Sequence, residues 1–402
     1  RVTGVQTCAL PILKIVYVYD AIARIGGVEK ILADKMNYFA DVCAYDIYLI
    51  TAAQGNHPFS FPISAQVKHI DLNARFHLQY QYKAPLRWWM KWRLDCDFER
   101  KIKKQIAQID PDIIIATTYY KADVVCRLEC RAKKIIESHC VKSHTGINDG
   151  IKRSKPIQLL YDYLLKKSFL TIEEKSDAIV SLTEGDSKEW NADCKRKFVI
   201  PNSIPEIPPA TSPRTAQRAI SAGRLTKEKA FHRMIAAWMK VYRIHPEWQL
   251  DIYGEGEEKK VLLHTIKALG LEGVVRIHPF STDLEQEFLD SSMFLLSSLY
   301  EGFGLVLIEA MACGLPCIAF DCPYGPGEII HHNKDGVLLP DFDKLSTDAH
   351  ELWTMAWSVN KLISNPSLRE KLGNAARENA KRFLPDKVMT KWIDLFNQLA
   401  AR

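Results

Sequence analysis

No stretch of this sequence approaches the roughly 18 consecutive apolar residues that would cross a bilayer as a helix. Its cysteines form no Cys-x-x-Cys pair. Cys126 and Cys130, like Cys313 and Cys317, are separated by three residues, so the ten cysteines read as free thiols of a reducing compartment, not as zinc ligands or disulfides. No short-period repeat and no low-complexity tract is present. The chain does not begin with Met, and Arg1–Ile12 lack the basic-then-apolar order of a signal peptide. Those twelve residues fit nothing that follows and are expected to stand outside the fold.

What remains is an ordinary globular composition: 402 residues, 47% hydrophobic, 10% aromatic and 25% charged. It excludes disorder, collagen-like sequence and a disulfide scaffold, and at this length it predicts two domains. The net charge of +6 is local. Between Arg75 and Lys104 nine basic residues face three acids, which leaves the rest of the chain neutral. A nucleic-acid binder that is basic throughout does not look like this, so the partner of the excess should be local too.

From Leu13 onward, short apolar runs alternate with helical patterns. Strands are predicted at Ile15–Tyr19, Ile47–Ile50, Ile113–Ala116, Ile135–Glu137, Ala178–Ser181 and Phe198–Ile200. The pattern restarts at Ala219–Ala222, Gln249–Tyr253, Val274–Ile277, Phe294–Leu296 and Pro316–Phe320. Helical segments such as Val28–Phe39 and Leu159–Phe169 lie between. Such alternation implies α/β architecture, with parallel sheets covered on both faces. Five prolines between Pro201 and Pro213 break it. The expected division is therefore a Rossmann-like domain over 13–200, a stiff linker over 201–213, a second Rossmann-like domain over 214–384, and a final helix within 385–402. Ligands of such sheets bind at the carboxyl ends of the strands, so the expected site is the cleft between the domains.

Four features could carry chemistry. After Gly304 the sequence is apolar on every side for two turns except at Glu309, which predicts a buried helix with an acid inside it. A buried carboxylate needs compensating donors. Glu309 either pairs with a neighbour inside the protein or accepts hydrogen bonds from ligand hydroxyls such as those of a ribose. Gly302 and Gly304 favour the ligand, because they let backbone N–H groups approach it at a helix start, where the dipole favours phosphate. The second feature is the turn at Gly223, which follows a strand and offers Arg224 and Lys229, a fork and a point charge suited to a diphosphate. A solvated basic turn is its bland alternative. The third, Gly26-Gly27, is compatible with any tight turn. The fourth, His139, stands at the carboxyl end of a strand and is either structural or turned to the cleft.

Together these residues resemble the retaining family 4 glycosyltransferases of the GT-B fold, two Rossmann-like domains with parallel sheets facing across a cleft. The resemblance runs from about Leu13 to the C-terminus. It rests on Glu301 and Glu309 around Glu-Gly-Phe-Gly-Leu, on the Gly-Arg-Leu…Glu-Lys element, on the early Gly-Gly loop, and on Tyr253-Gly254-Glu255-Gly256, Ile200-Pro201-Asn202 and Asp321-Cys322-Pro323-Tyr324-Gly325-Pro326. It implies that Glu309 holds the donor ribose, that Glu301 lies near the donor sugar, and that Arg224 and Lys229 hold the diphosphate. It also implies that the Gly26-Gly27 loop closes on the phosphates and that His139 contacts the transferred sugar. Arg224, Lys229, Glu301 and His139 are then the catalytic candidates. Gly26, Gly27, Gly223, Gly254, Gly302, Phe303, Gly304, Leu305 and Glu309, with Arg224, Lys229 and Glu301, line the donor. A final helix, about Asp386–Ala400, typically crosses back to the first domain. The chain departs from the family at Gly327, where many relatives carry Ser, and at Leu299, where a polar or basic residue is common.

The resemblance implies transfer of a hexose or N-acetylhexosamine, with retention, from a nucleoside-diphosphate sugar (UDP-linked) to a saccharide acceptor. Asp95-Cys96-Asp97 falls in a helix, where alternate residues do not share a face, and Asp341-Phe342-Asp343 stands in a loop without a partner cluster. Neither is expected to hold a metal, and no cofactor is expected. Tryptophans alternate with cations in Arg87-Trp88-Trp89-Met90-Lys91-Trp92-Arg93. They suit an anionic membrane surface, unless they pack beside the core-facing Phe98, Ile102 and Ile106. A peripheral enzyme on the inner face of the cytoplasmic membrane, with a lipid-linked acceptor in bacterial surface-polysaccharide synthesis and no nucleic-acid partner, is the resulting expectation. An epimerase or phosphorylase on the same fold, and a non-catalytic membrane or nucleic-acid binding protein, are its competitors.

Overall fold

The computed structural model describes residues 12–83, 85–118, 121–144, 155–191, 197–281, 283–341 and 349–400; apart from Ile12, the N-terminal segment singled out above lies outside them. The chain divides into two compact units. One holds the chain up to Ser181, Ser187–Val199 and everything from Lys391; the other holds Leu182–Asp186 and Ile200–Thr390.

The first unit is built on seven parallel strands: β1 (Lys14–Tyr19), β2 (Asp46–Thr51), β3 (Lys68–Asp71), β4 (Ile113–Thr117), β5 (Lys133–Ser138), β6 (Ala178–Ser181) and β7 (Lys197–Val199). Their order is β3-β2-β1-β4-β5-β6-β7. The central strands are apolar on both faces because helices cover both; all five residues of β4 are buried. Helices α1 (Gly27–Asp41), α2 (Leu86–Ile109), α3 (Ala122–Arg127) and α4 (Lys155–Lys175) connect them. Phe98, Ile102, Ile106 and Ile109 of α2, Val124 and Val125 of α3 and Ile172 of α4 share one core cluster, so these three helices cover the same side of the sheet.

The second unit holds β8 (Arg218–Ala222), β9 (Gln249–Tyr253), β10 (Val275–His278), β11 (Met293–Leu296), β12 (Cys317–Phe320) and β13 (Gly336–Leu339), again parallel, in the order β10-β9-β8-β11-β12-β13. The strand order reverses between β1 and β4 in one sheet and between β8 and β11 in the other. At such a point the loops leaving the two neighbouring strands diverge and leave a crevice at their carboxyl ends.

Two strands escape the sequence reading. β3 is an edge strand, half open to solvent, with one aliphatic residue, Ile70. β13 is four residues long, too short to show a period. The proline-rich segment is also not a free linker. Ile204 and Ser212 are buried in the second unit, with the Ile204 amide donating to the Phe383 carbonyl and the Ser212 amide to that of Cys313. Proline excludes these residues from a ladder but does not stop them packing.

The helix Pro385–Ala400 buries Val388, Met389, Trp392, Leu395, Phe396 and Leu399, one stripe at helical spacing. From Lys391 it belongs to the first unit, where the Phe396 ring lies 5.3 Å from that of Phe39 on α1 and 6.4 Å from that of Tyr45. Replacing Phe396 by Ala should therefore cost about 3–5 kcal/mol, a fully buried aromatic lost with little room for collapse. Urea unfolding of the variant measures it; a loss below about 1 kcal/mol would show that the helix end is not part of the core.

Candidate functional site

In the second unit, the loops leaving β8, β9, β11 and β12 are locked together mostly by backbone. The Gly223 amide donates to the Tyr253 carbonyl, the Leu225 amide to that of Glu255, and the Glu258 amide to that of Leu225. This approach has room only for glycine. A Cβ on Gly254 would stand 2.0 Å from the Gly223 oxygen, and one on Gly325 would stand 1.7 Å from the Phe303 oxygen. The motif glycines thus set the spacing between adjacent loops, which sequence spacing alone does not reveal.

Lys229 ends a single helical turn, Lys227–Lys229, after β8, and Glu301 follows β11. The two meet across the switch point: Lys229 Nζ donates to Glu301 Oε1 at 2.6 Å, and Ser298 Oγ donates to the same oxygen at 2.6 Å. Ser297 Oγ holds the Lys229 carbonyl at 2.9 Å, and the Leu299 amide holds that of Glu228 at 2.8 Å. Glu301 is further fixed by a backbone bridge to the loop after β12, its amide bonding to Pro323 and its carbonyl accepting from Tyr324. The Lys229 and Glu301 side chains are 17% and 7% exposed. The pair is therefore sheltered and still reachable.

Gly304 adopts φ 101°, the left-handed region, and caps the eight-residue helix Leu305–Ala312. That helix is not buried all round. Leu307, Ile308, Ala310 and Met311 are buried, while Leu305, Val306 and Glu309 remain half exposed. Residues three and four apart share a helix face, so Glu309 belongs to an open stripe. The expectation of a sequestered acid is corrected accordingly: low polarity on all sides did not mean cover on all sides. The Arg224 side chain is 75% exposed and stands 3.6 Å from Glu228, outside the Lys229–Glu301 pair.

In the first unit, Gly26 precedes α1 in an extended conformation and Gly27 begins the helix. Its first turn already carries an acid, Glu29, which accepts from the Tyr19 hydroxyl at 3.1 Å. His139 lies just beyond β5, buried, with Nε2 2.7 Å from Glu137 Oε2. The same oxygen accepts from Lys35 Nζ of α1, and the Trp392 ring lies 4.4 Å from that ammonium. Tyr17 completes the surroundings. Among the described residues its hydroxyl and Glu137 Oε1 have no hydrogen-bond partner. Burial opposes ionisation of Glu137, yet Lys35 and His139 outweigh it and hold the carboxyl down at about 2. Burial, assisted by the Glu137 charge, pushes the Tyr17 hydroxyl up. The sequence reading missed Lys35. Its signal was present: Lys35 stands four residues from Ile31 and from Phe39, on the buried stripe of α1.

Residues 204–379 match the family glycosyl transferases group 1. The chain is 34% identical over 232 residues to an exopolysaccharide phosphotransferase of Streptomyces coelicolor, covering 56% of this chain and 24% of that one. It is 37% identical over 184 residues to the amylovoran biosynthesis glycosyltransferase AmsD of Erwinia amylovora, 46% of this chain and 49% of that one. It is 27% identical over 378 residues to an uncharacterized glycosyltransferase of Haemophilus influenzae, 92% and 96% of the two chains. Its fold matches Anabaena HepE, solved with UDP and glucose, at TM-score 0.72 and 19% identity over 96% of this chain and all of that one. The chain has the GT-B fold, and its second unit carries the match to the family. It spans about a quarter and about half the length of the first and second of these relatives.

In this chain both Asp-x-Asp sequences are accounted for in part. Asp95 is paired with Lys91 at 2.8 Å and Lys121 at 2.5 Å, and Asp97 with Lys101 at 2.8 Å, so the two carboxylates on α2 serve separate partners. Asp341 stands 3.6 Å from Arg233, whereas Phe342 and Asp343 lie outside the described residues. Among the described residues no three His, Cys, Asp or Glu side chains gather as metal ligands would. A Cβ on Gly327 would stand 2.3 Å from Asp321 Oδ1, so a side chain there requires Asp321 to move.

The Lys35–Glu137–His139 network makes a pH prediction. The Glu137 carboxyl lies below its ordinary value of 4.5 at about 2, so its contribution to stability is complete above 4.5 and is lost as pH falls toward 2. Glu137→Gln strands a buried ammonium and should cost about 3–5 kcal/mol at pH 7. Urea unfolding between pH 7 and pH 2 should show the two proteins converging by about 3 kcal/mol in the acid range; a constant difference would mean that Glu137 is not ionised in the fold.

Proposed function

We propose that this protein is a retaining glycosyltransferase that moves a hexose or N-acetylhexosamine from a nucleoside diphosphate, UDP in this reading, to a saccharide acceptor. The observation that carries the reading is the sheltered Lys229 ammonium, anchored by Glu301 and Ser298 where the second sheet reverses direction. When the bond from C1 to the diphosphate oxygen breaks, negative charge grows on the departing phosphate, and a cation fixed in advance stabilises it without reorganisation. Arg224, exposed and beside Glu228, can turn to the same phosphate. The start of the helix at Gly304 adds its dipole, and Glu309 on the open stripe accepts from the ribose hydroxyls. Retention follows from front-face attack: the acceptor oxygen bonds to C1 on the side the diphosphate leaves, and the acceptor proton passes to a diphosphate oxygen. With these groups dispersing the charge, the reaction needs no metal. HepE, solved with UDP and glucose, supports this donor class.

The names of the Streptomyces and Erwinia relatives support a place in bacterial surface-polysaccharide synthesis; the acceptor in this reading is a lipid-linked saccharide. In this reading the protein works on the inner face of the cytoplasmic membrane and binds no nucleic acid. Among the described residues no helix is long and apolar enough to cross a membrane, so contact would be peripheral. Trp88, Trp89 and Trp92 are exposed on α2, with Trp88 at 62%; they do not pack beside Phe98, Ile102 and Ile106. With Arg87, Lys91 and Arg93 they suit an anionic headgroup layer.

A thermal-shift screen of nucleotide sugars should show stabilisation by one donor, and transfer assays with that donor should require an acceptor. Lys229→Ala should then slow turnover by about 10²-fold or more, the scale of losing one preorganised donor. Glu309→Ala should chiefly weaken binding of the free nucleotide, read by calorimetry. Stabilisation by no nucleotide would sink the reading, and conversion of the donor without an acceptor would replace it with an epimerase.

A further inference from the structure

The helices α2 and α4 are both longer than the sheet they cover. At about 1.5 Å per residue, the 24 residues of α2 extend about 36 Å and the 21 of α4 about 32 Å. The strands that follow them, β4 with five residues and β6 with four, extend about 17 and 13 Å. The carboxyl half of each helix is the half that packs. The buried residues of α2 are Phe98, Ile102, Ile106 and Ile109, and the one described for α4 is Ile172. The direction of the overhang is fixed by contacts. Lys14 at the start of β1 donates to the Ile109 carbonyl at the end of α2, whereas Lys101 donates to Leu72 and Asn73, just past the end of β3. The first three turns of α2 therefore stand beyond the carboxyl ends of the strands. In the same way α4 ends beside the start of β5, where the Lys134 amide donates to Asp177, and its amino half points the other way.

The overhang of α4 has an unusual surface. Ile157, Leu159, Leu160, Tyr163 and Leu164 are all exposed, Leu159 to 70%. Leu159 with Tyr163 and Leu160 with Leu164 are one turn apart, so they form two adjoining ridges on the side away from Phe169 and Ile172. Lys167 continues both ridges, with Lys166 beside it and Lys155 at the helix start, all exposed; Asp162 is the acid among them. A surface helix of a globular protein turns its leucines inward and its lysines outward. Here the leucines face solvent among lysines, the composition of a helix that lies in a lipid interface. Exposed apolar patches of this kind mark interaction sites.

We propose that the overhang of α4 is a lipid-inserting element, which together with the Trp/Arg face of α2 seats the first unit on an anionic bilayer. The inference rests on the proposed lipid contact of α2 and extends it to an independent surface. The two overhangs divide the task. Trp88, Trp89 and Trp92, interleaved with Arg87, Lys91 and Arg93, suit the headgroup layer, whereas Leu159, Leu160 and Leu164 reach the acyl boundary. Their common cationic charge selects anionic lipid over a neutral surface. Both project from the strand-end side of the sheet that also carries Gly26 and His139, so a lipid-linked acceptor would be met at the level of its own membrane.

Flotation of the full chain with phosphatidylcholine vesicles, with and without phosphatidylglycerol, at 0.1 M and 1 M NaCl tests this. Wild type should bind the anionic vesicles. The triple variant Leu159→Ser, Leu160→Ser, Leu164→Ser should lose tenfold or more in partitioning at unchanged Tm, and the single variant Leu160→Asp should repeat the loss should the triple variant prove unstable. Lys166→Gln with Lys167→Gln should weaken binding at low salt alone. Wild-type partitioning of both leucine variants, alongside loss in Trp88→Ala with Trp92→Ala, would overturn the role of α4 and leave that of α2 standing. Absence of wild-type binding would remove both. A leucine variant that changes the sedimenting mass, from a wild type that ignores vesicles, would make this face a contact between copies and also defeat the lipid assignment.

Discussion

The ion pair between Lys229 and Glu301 joins segments 72 residues apart at the one place in the second sheet where neighbouring strands send their chains in opposite directions. The loops after β8 and β11 are also joined by the bonds from the Leu299 amide to Glu228 and from the Ser297 hydroxyl to Lys229. A pair of this kind adds little net stability, since taking both charges from water offsets most of their attraction. Its effect is geometric. The ammonium is fixed before any ligand arrives, and a charge held in place stabilises a developing anion more effectively than one that must be reoriented.

A second lysine–glutamate pair, Lys35–Glu137, lies in the first unit, and the contrast is instructive. Lys35 and Glu137 are sealed, with Trp392 over the ammonium and His139 on the shared carboxylate oxygen. No diffusing anion reaches that pair. Its low-dielectric setting makes loss of either partner costly, so it suits holding one imidazole in one orientation. Lys229 is as firmly held but partly open. The same two residue types are thus sealed from solvent in one unit and left partly open in the other.

The architecture was largely legible in the sequence, because strands buried on both faces leave nearly continuous Ile and Val runs that glycines, prolines and helical patterns punctuate. Ala178–Ser181 and Gln249–Tyr253 match their observed bounds to the residue. The edge strand β3 was not legible, since an edge needs no second apolar face. For the site, residue type pointed to Lys229 and Glu301 but not to their direct pairing, which depends on the strand order and not on spacing along the chain. Glu309 shows the opposite limit. The apolar residues around it gave no means of telling a covered face from one left open, because composition is blind to which neighbours a fold supplies. Arg224 likewise carries the right chemistry on a turn whose backbone leaves it in solvent.

The glycines explain why so much of this site resides in backbone. At Gly254 and Gly325 the main chains of adjacent loops come within the space of a methyl group, which brings the carboxyl ends of β8, β9, β11 and β12 into one rim. Close approach of this kind leaves few side chains between the loops, so the rim is built mainly of backbone N–H and carbonyl groups supplemented by a small number of charges. Backbone groups are nearly identical in every protein, and their placement survives wide divergence of the residues that carry them. The fold match at 19% identity over 96% of the chain shows that a frame of this kind outlasts most of the side chains it carries.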